Sequence, residues 1–273
     1  MGTKQNTRYL VVTDLDSSLL DEDYSYSGAE GALTTMRQMG VPLVMNSSKT
    51  YAELRALASE LDECQALVAE NGGLIALEGR SAMVHEGDPL DSFGYAYQNL
   101  GKSRDEILQV AHKLRDTHGY KFEGFADWQV CDVVEHTGLS SEAAALAMDR
   151  MATEPIHWHG DEAEWDTFTK ALTSESIRAI RGGRFIHLMG MSDKVVGMQA
   201  VVQRIQAADL DVEWKVIAVG DSQNDLAMLE AADVALVIPH ADGPHIKPNN
   251  PNTIYARFVG STGWGQGIIE ILK

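Results

Sequence analysis

Short apolar runs alternate with helix-like segments through the first third of the chain. The lengths of three such runs predict buried strands at Tyr9–Val12, Val41–Met45 and Ala66–Ala69. Apolar residues close to helical spacing predict a helix over residues 28–39, and a Thr-x-x-Glu capping box at Thr50 predicts the start of the next. Strands that alternate with helices are typical of βαβ units, so this pattern predicts a parallel sheet.

The same alternation returns towards the end of the chain. The pattern predicts helices at Lys194–Ala207 and Asp225–Ala231 and strands at Val216–Val219 and Val234–Ile238. Residues 242–252 contain three prolines and three asparagines, which predict a loop. These later elements therefore extend the parallel sheet begun by the first third of the chain.

The middle of the chain, residues 84–190, has a different character and predicts a separate unit. We expect an α/β fold with a Rossmann-like parallel-sheet core, formed by residues 1–83 and 191–273, into which an α+β cap domain is inserted. The elements predicted for this cap are helices at Arg104–His118, Ser141–Met151 and Glu162–Leu172 and strands at Pro155–Trp158 and Phe185–Met189.

The charge balance of the 273 residues restricts the partners. With 22 lysines and arginines against 40 aspartates and glutamates, the formal charge is −18. A negative field repels phosphate polymers and anionic lipids, so we expect no general affinity for nucleic acid or membrane surfaces. A small anionic substrate would need a local positive site or a bound cation.

Cysteine usage and the absence of long apolar segments suggest the compartment. Cys64 and Cys131 have no metal-binding spacing and suit a reducing environment. No run approaches the roughly 20 apolar residues of a membrane span, and residues 1–7 lack the apolar core of a signal peptide. We therefore predict a cytoplasmic protein, with an oligomeric state that the sequence leaves open.

Polar clusters follow the predicted strands, where open α/β sheets bind their ligands. Each cluster alone has an ordinary interpretation as a turn or a helix cap. Together they suggest phosphoryl transfer, because a phosphate dianion approaches a carboxylate nucleophile only where other charges offset the repulsion. The four clusters are Asp14/Asp16, Ser47–Lys49, Glu70/Asn71 and Gly220–Asp225.

The residue types in these clusters suggest separate roles. Asp14 and Asp221 would supply oxygen ligands for Mg²⁺, and Asp14 would also be the nucleophile that forms an aspartyl-phosphate. Asp16 lies two residues further along an extended segment, where it would protonate the leaving oxygen and later activate water. Lys194 is a suitable point-charge partner for phosphate, and the hydroxyl of Ser47 would complete the oxyanion cradle.

The order of these residues resembles the motifs of the haloacid dehalogenase superfamily of phosphatases. The resemblance implies that Asp16 binds the metal through its backbone carbonyl, which makes Asp14, Asp16 and Asp221 the metal ligands. Asn224 and Asp225 of the last motif would support these ligands. The segments that resemble motifs one to four are Asp14–Ser18, Ser47, Lys194 and Gly220–Asp225.

A narrower resemblance, to the mannosyl-3-phosphoglycerate phosphatase family, covers nearly the whole chain. It implies Mg²⁺-dependent hydrolysis of a glycosyl-3-phosphoglycerate through an aspartyl-phosphate, as a step towards a compatible solute. Mannose is the expected sugar, with glucose left open. The segments that carry this resemblance are Asn46–Thr50, Glu70–Gly72, Glu154–Ile156, Arg181–His187 and Gly263-Trp264.

A basic segment of the predicted cap is a candidate for binding the substrate's carboxylate. Arg181 and Arg184 flank Gly182 and Gly183, whose missing side chains would let backbone N–H groups approach the ligand. A basic hairpin turn is the alternative interpretation. The other residues predicted to bind substrate are Ser48 and Lys49.

Other functions share part of this chemistry. A signalling receiver module also combines acidic residues, a hydroxyl and a lysine, but it is much shorter and has no inserted domain. A phosphatase of another sugar phosphate, or a phosphotransferase or mutase on the same fold, remains open, whereas a catalytically inactive binding protein would not need every motif residue. Zinc is not expected, because the pairs His157/His159 and His240/His245 lack supporting cysteines.

Overall fold

The computed structural model describes residues 6–182 and 184–273, which form two β-sheets and nine α-helices. The strands are β1 Asn6–Thr13, β2 Leu43–Asn46, β3 Cys64–Ala69, β4 Leu74–Glu78, β5 Tyr95–Asn99, β6 Phe122–Gly124, β7 Thr153–Trp158, β8 Arg178–Arg181, β9 Ile186–Met189, β10 Val212–Gly220, β11 Val234–Val237 and β12 Thr253–Tyr255. The α-helices are α1 Glu30–Met39, α2 Tyr51–Ala58, α3 Arg104–His118, α4 Val130–Thr137, α5 Ser141–Met148, α6 Glu162–Ser174, α7 Lys194–Ala208, α8 Leu226–Ala231 and α9 Gly260–Leu272.

The larger sheet has eight strands in the order β12-β11-β10-β1-β2-β3-β4-β5. The six strands from β12 to β3 are parallel to their neighbours, whereas β4 and β5 are added in antiparallel fashion. Strand β1 lies inside the sheet, where Val11 pairs with Ile217 of β10 and Leu43 of β2. This sheet confirms the predicted α/β fold with a parallel-sheet core.

Apolar side chains cover both faces of the larger sheet. Alternate residues of β1 point to opposite sides, as the pleat requires. Val11 joins a buried cluster with Trp264 of α9, and Leu10 joins a second cluster with Val201 of α7. Because a sheet buried on both faces needs apolar residues at every position, its strands read as continuous apolar runs in the sequence.

The smaller sheet is antiparallel, in the order β6-β7-β9-β8, and it carries α3 and α6 on one face. Its core is aromatic, with Trp158 and Phe168 stacked at 5.1 Å between ring centroids. Strand β5 lies within the segment predicted as cap, yet it pairs with β4 in the larger sheet. The predicted boundary at residue 84 is therefore too early for the sheet pairing, and we propose that the inserted unit spans about residues 100–190.

Several elements were not predicted from the sequence, most clearly the last helix, α9. Four glycines in α9 lower its helix propensity, which hides it from pattern reading. Its glycines are required by close packing, since a Cβ at Gly263 would lie 1.8 Å from the carbonyl oxygen of Phe258. Among the described residues, the helices are too short or too polar to cross a membrane. The other elements not predicted are α4, β4, β5, β6, β8 and β12.

Trp264 connects α9 to the central strand of the larger sheet. Its side chain is fully buried, and its indole N–H donates to Thr13 Oγ1 at 2.8 Å. We expect Trp264→Ala to lower the free energy of unfolding by about 3–5 kcal/mol, because it leaves a large cavity. Urea unfolding measures this loss, and Trp214→Ala, at a half-buried position, is the control with a smaller effect. Equal losses in the two variants would contradict this role for Trp264.

Candidate active site

Three of the predicted catalytic and metal-binding side chains lie at one edge of the larger sheet. Asp14 follows β1, Ser47 follows β2 and Asp221 follows β10, and these three strands are parallel neighbours. The backbone N–H of Asp14 donates to the carbonyl of Val219 at 2.9 Å, which continues the sheet pairing into the site. Parallel pairing therefore brings together residues that are far apart in the chain.

Lys194 is the positive centre of the site. It begins α7, its side chain is 1% exposed, and its Nζ lies 2.6 Å from Asp14 Oδ1 and 2.5 Å from Asp225 Oδ1. Burial by itself would lower the pKa of Lys194, but the two carboxylates outweigh it and hold the pKa above its ordinary value. The ammonium group therefore stays charged across the physiological range.

Asp14, Asp221 and Asp225 form a compact acidic cluster. Each contributes a side-chain oxygen within 4.8 Å of the others, and all three residues are buried. Burial raises the pKa of Asp14 to about 8 although Lys194 opposes it, and burial followed by the charge of Asp225 raises the pKa of Asp221. Three carboxylates facing one ammonium leave a site that fits a divalent cation with a preference for oxygen ligands.

Asp225 differs from its two partners because the chain already uses both of its oxygens. Oδ1 accepts from Lys194, and Oδ2 accepts from the backbone N–H groups of Asp221 and Ser222 at 3.2 and 3.1 Å. Asn224 accepts from Ser222 Oγ at 2.6 Å and donates to Asn71 Oδ1 at 3.4 Å. These contacts fit supporting roles for Asp225 and Asn224 rather than direct ligation.

Asp16 lies outside the acidic cluster and pairs with a different cation. Its side chain is 47% exposed, and its Oδ2 lies 3.0 Å from Lys49 Nζ. Burial favours a lower pKa for Lys49, but Asp16 outweighs it and the pKa is raised. Oδ1 of Asp16 is shielded from solvent and has no hydrogen-bond donor among the described residues.

The loop after β2 holds the predicted phosphate-binding hydroxyl. Ser47 is buried, and its Oγ accepts from the backbone N–H of Lys49 at 3.3 Å. Ser48 lies half-buried between them. The loop is held to the next strand, because the Ser47 N–H donates to the carbonyl of Val68 at 3.0 Å.

The basic segment of the inserted unit is engaged elsewhere within that unit. Arg181 Nη2 donates to Glu162 Oε1 at 3.1 Å, and Arg184 donates to the Thr137 carbonyl. The Gly182 N–H donates to the Phe185 carbonyl, and Gly183 lies outside the described residues. The substrate-binding roles of these four residues stay predictions.

One neighbour of the site, His240, was not predicted to belong to it. Its Nε2 lies 2.8 Å from Asp221 Oδ2, and its ring stacks on His245 with a centroid distance of 3.8 Å. The segment after β11 brings this ring to Asp221, so the contact depends on the fold and the spacing of residues in the sequence does not predict it. Within the described ranges, the group suited to a metal consists of Asp14, Asp221 and Asp225.

The motif order, the buried lysine and the sheet edge agree with one family of hydrolases. A family model described as haloacid dehalogenase-like hydrolase matches residues 11–248. The chain belongs to the haloacid dehalogenase-like hydrolase family. The superfamily resemblance drawn from the four motifs is confirmed.

Similar proteins with assigned names indicate a narrower group within this family. Two proteins named glucosyl-3-phosphoglycerate/mannosyl-3-phosphoglycerate phosphatase, from Methanococcoides burtonii and Persephonella marina, are 30% and 31% identical to it. Each alignment covers 97% of this chain and 97% of the relative. The narrower resemblance and the prediction of a phosphoric monoester hydrolase are confirmed.

Solved structures support the fold class. A haloacid dehalogenase-like hydrolase from Bacteroides thetaiotaomicron has a TM-score of 0.68 at 18% identity, over 97% of this chain and 100% of that one. A sucrose-phosphatase from Synechocystis has a TM-score of 0.57 at 14% identity, over 97% of this chain and 98% of that one. At these identities the likeness shows the fold alone, and it confirms the α/β prediction.

Removing the buried cation tests the electrostatics of the site. We expect Lys194→Met to lower the free energy of unfolding by about 3–5 kcal/mol at neutral pH, because Asp14 and Asp225 lose their buried partner. Lys215→Met is the control, since this exposed lysine pairs with Glu213 and its loss should cost less than about 1 kcal/mol. Urea unfolding of the metal-free variants measures both, and similar losses would argue against the buried charge balance.

Proposed function

We propose that this hydrolase removes phosphate from a glycosyl-3-phosphoglycerate with the help of Mg²⁺, with mannosyl-3-phosphoglycerate as the first candidate and the glucosyl compound as the second. The buried Lys194 between Asp14 and Asp225, beside Asp221, supports the phosphoryl-transfer chemistry. The names of relatives at 30–31% identity and 97% coverage support the substrate.

The acidic cluster suits a resident magnesium ion. Asp14 and Asp221 would hold it with carboxylate oxygens and Asp16 with its backbone carbonyl, while Asn224 and Asp225 keep those ligands in place. When bound, Mg²⁺ offsets the negative charge of the phosphate and of the nucleophile. Lys194 adds a fixed positive charge beside Asp14, which favours the ionised form of this carboxylate and opposes the effect of burial.

The chain's own residues then divide the reaction between two carboxylates. Asp14 attacks phosphorus, the bond from phosphorus to the leaving oxygen breaks, and Asp16 gives its proton to that oxygen. Water next attacks the phosphorus of the aspartyl-phosphate while Asp16 takes a proton from that water. The bond from phosphorus to the Asp14 oxygen then breaks, and phosphate is released. Lys49, 3.0 Å from Asp16, orients this carboxyl group, and the Ser47 hydroxyl donates to a phosphate oxygen.

Phosphate release tests the proposed reaction directly. We expect release of inorganic phosphate from mannosyl- and glucosyl-3-phosphoglycerate with Mg²⁺, and none after addition of EDTA. Asp14→Asn should lose turnover because the amide is a poor nucleophile, whereas Asp62→Asn, on an exposed side chain, should retain it. Absence of release from both substrates would overturn the proposed substrate class, and full turnover by Asp14→Asn would overturn the proposed nucleophile.

Metal binding should depend on pH through Asp14. Because burial raises the folded-state pKa of Asp14 to about 8 from 3.8, the stabilisation from its bound proton is complete below about pH 4 and is lost as the pH rises through 8. Mg²⁺ must displace that proton, so each pH unit below 8 weakens binding by up to about 1.4 kcal/mol. We therefore expect Mg²⁺ to raise the melting temperature more at pH 9 than at pH 6.

Thermal unfolding with and without Mg²⁺ at both pH values measures this dependence. In Asp14→Asn the position no longer titrates, so the difference between the two pH values should shrink. An Mg²⁺ effect in the parent protein that is equal at pH 6 and pH 9 would contradict the link to Asp14.

A further inference from the structure

We infer that Glu70 is a positioning residue, which connects the inserted unit to the loop carrying Ser47 and thereby sets how substrate is held between them. Glu70 follows β3 and is fully buried, yet the proposed chemistry does not use its carboxylate. The inference rests on the proposed phosphatase function, because part of its test measures turnover.

Glu70 follows a strand of the larger sheet, but the hydrogen bonds that its carboxylate accepts from the described residues come from the inserted unit. Oε1 accepts from the Met151 backbone N–H at 2.8 Å, and Oε2 accepts from the Ala152 N–H at 3.1 Å and Thr153 Oγ1 at 2.6 Å. These residues lead into β7 of the smaller sheet. Helix α5 ends at Met148 rather than at Met151 as predicted, and the Met151 N–H donates to Glu70 rather than to a helix carbonyl.

The charge of Glu70 is balanced from the same side. Arg150 is almost fully buried, with Nη1 4.0 Å from Glu70 Oε2 and 2.7 Å from Thr153 Oγ1, to which it donates. Thr153 therefore accepts from Arg150 and donates to Glu70. Because a buried carboxylate needs a partner and hydrogen-bond donors, this arrangement holds the two units in one relative position.

The backbone of the same turn holds the catalytic loop. The Glu70 N–H donates to the Lys49 carbonyl and the Asn71 N–H donates to the Ser47 carbonyl, both at 2.9 Å. The side chain of Asn71 accepts from Asn224, which lies beside the acidic cluster. The turn thus contacts the loop after β2 and the loop after β10, while the Glu70 carboxylate contacts the inserted unit.

This turn has a strained backbone, which implies that its surroundings determine its shape. Glu70, Asn71 and Gly72 all have left-handed φ angles, of 52°, 55° and 82°. For a residue such as Glu this conformation is unfavourable, because the Cβ approaches the following carbonyl oxygen. Strain of this kind persists where packing over-determines the backbone, and a Cβ at Gly72 would lie 1.8 Å from the carbonyl oxygen of Asp193, directly before Lys194.

A shift of the inserted unit relative to the loop that carries Ser47 and Lys49 would therefore misplace a substrate that contacts both. A substrate whose leaving group reaches the inserted unit depends on this alignment. A small ester such as p-nitrophenyl phosphate needs only the phosphate site at the sheet edge. Comparing activity on these two classes of substrate therefore distinguishes two effects of a Glu70 variant. One is a changed alignment of the inserted unit with the sheet edge, and the other is a general loss of folding or of catalysis.

The test is the variant Glu70→Gln, which keeps the shape of the side chain but turns an NH₂ group towards backbone N–H donors. We expect kcat/KM for the glycosyl-3-phosphoglycerate to fall about tenfold or more, with activity on p-nitrophenyl phosphate within about threefold of the parent. Thr153→Val removes one of the three hydrogen bonds and should act in the same direction, more weakly. The double variant should lose less than the product of the two single effects, because both residues act through one contact.

Glu63→Gln is the matched control. Glu63 is also buried, but it pairs with Arg37 just before β3, at the opposite end of that strand from Glu70. Its replacement should lower stability without separating the two substrates. An equal loss on both substrates in Glu70→Gln, or no loss on either, would overturn the inference.

Amide hydrogen exchange adds a readout that needs no turnover. Thr153→Val changes only the inserted unit, yet the inference requires faster exchange of the Asn71 N–H, which is bonded to Ser47 in the core. Unchanged exchange at Asn71 would overturn the coupling. Failure of the proposed substrate is seen separately, as absent turnover in the unaltered protein, and the substrate comparison then uses the sugar phosphate that this protein does hydrolyse.

Discussion

The arrangement of the active-site edge depends on one buried ammonium group. Lys194 lies within hydrogen-bond distance of Asp14 and Asp225. Asp225 in turn accepts hydrogen bonds from the backbone N–H groups of Asp221 and Ser222. Without this cation, three buried carboxylates would repel one another and take up protons. With it, the site retains a negative charge suited to a divalent metal, and Asp14 lies next to a fixed positive charge.

The parallel sheet makes this charge balance possible. Asp14 and Asp221 are separated by more than two hundred residues in the chain but follow adjacent strands of the sheet. Lys194 reaches them from the first residue of α7, which packs on the sheet through Val201. Apolar burial on both faces therefore fixes the positions of the strand ends, and these positions bring the charged side chains together.

The inserted unit meets this edge through a second buried carboxylate. Glu70 links two parts of the chain, because its carboxylate accepts from residues 151–153 and its backbone N–H donates to the Lys49 carbonyl. Its turn adopts left-handed angles that an isolated segment would avoid. The free-energy cost of these angles is offset by hydrogen bonds. The Glu70 N–H donates to the Lys49 carbonyl, the Asn71 N–H donates to the Ser47 carbonyl, and the Glu70 carboxylate accepts from the inserted unit, so the position of that unit is linked to the catalytic loop.

The sequence by itself determined the parallel core, the family and the candidate residues Asp14, Ser47, Lys194 and Asp221, because buried strands are apolar throughout and each ends in a polar cluster. It did not indicate β4 and β5, which extend the larger sheet in antiparallel fashion, or α9, whose glycines resemble a loop. Only the tertiary structure decided which carboxylate faces which cation, that His240 reaches Asp221, that Arg181 pairs with Glu162, and that Glu70 joins the two units. These contacts depend on distances between segments remote in the chain, and local propensity and spacing carry no information about such distances.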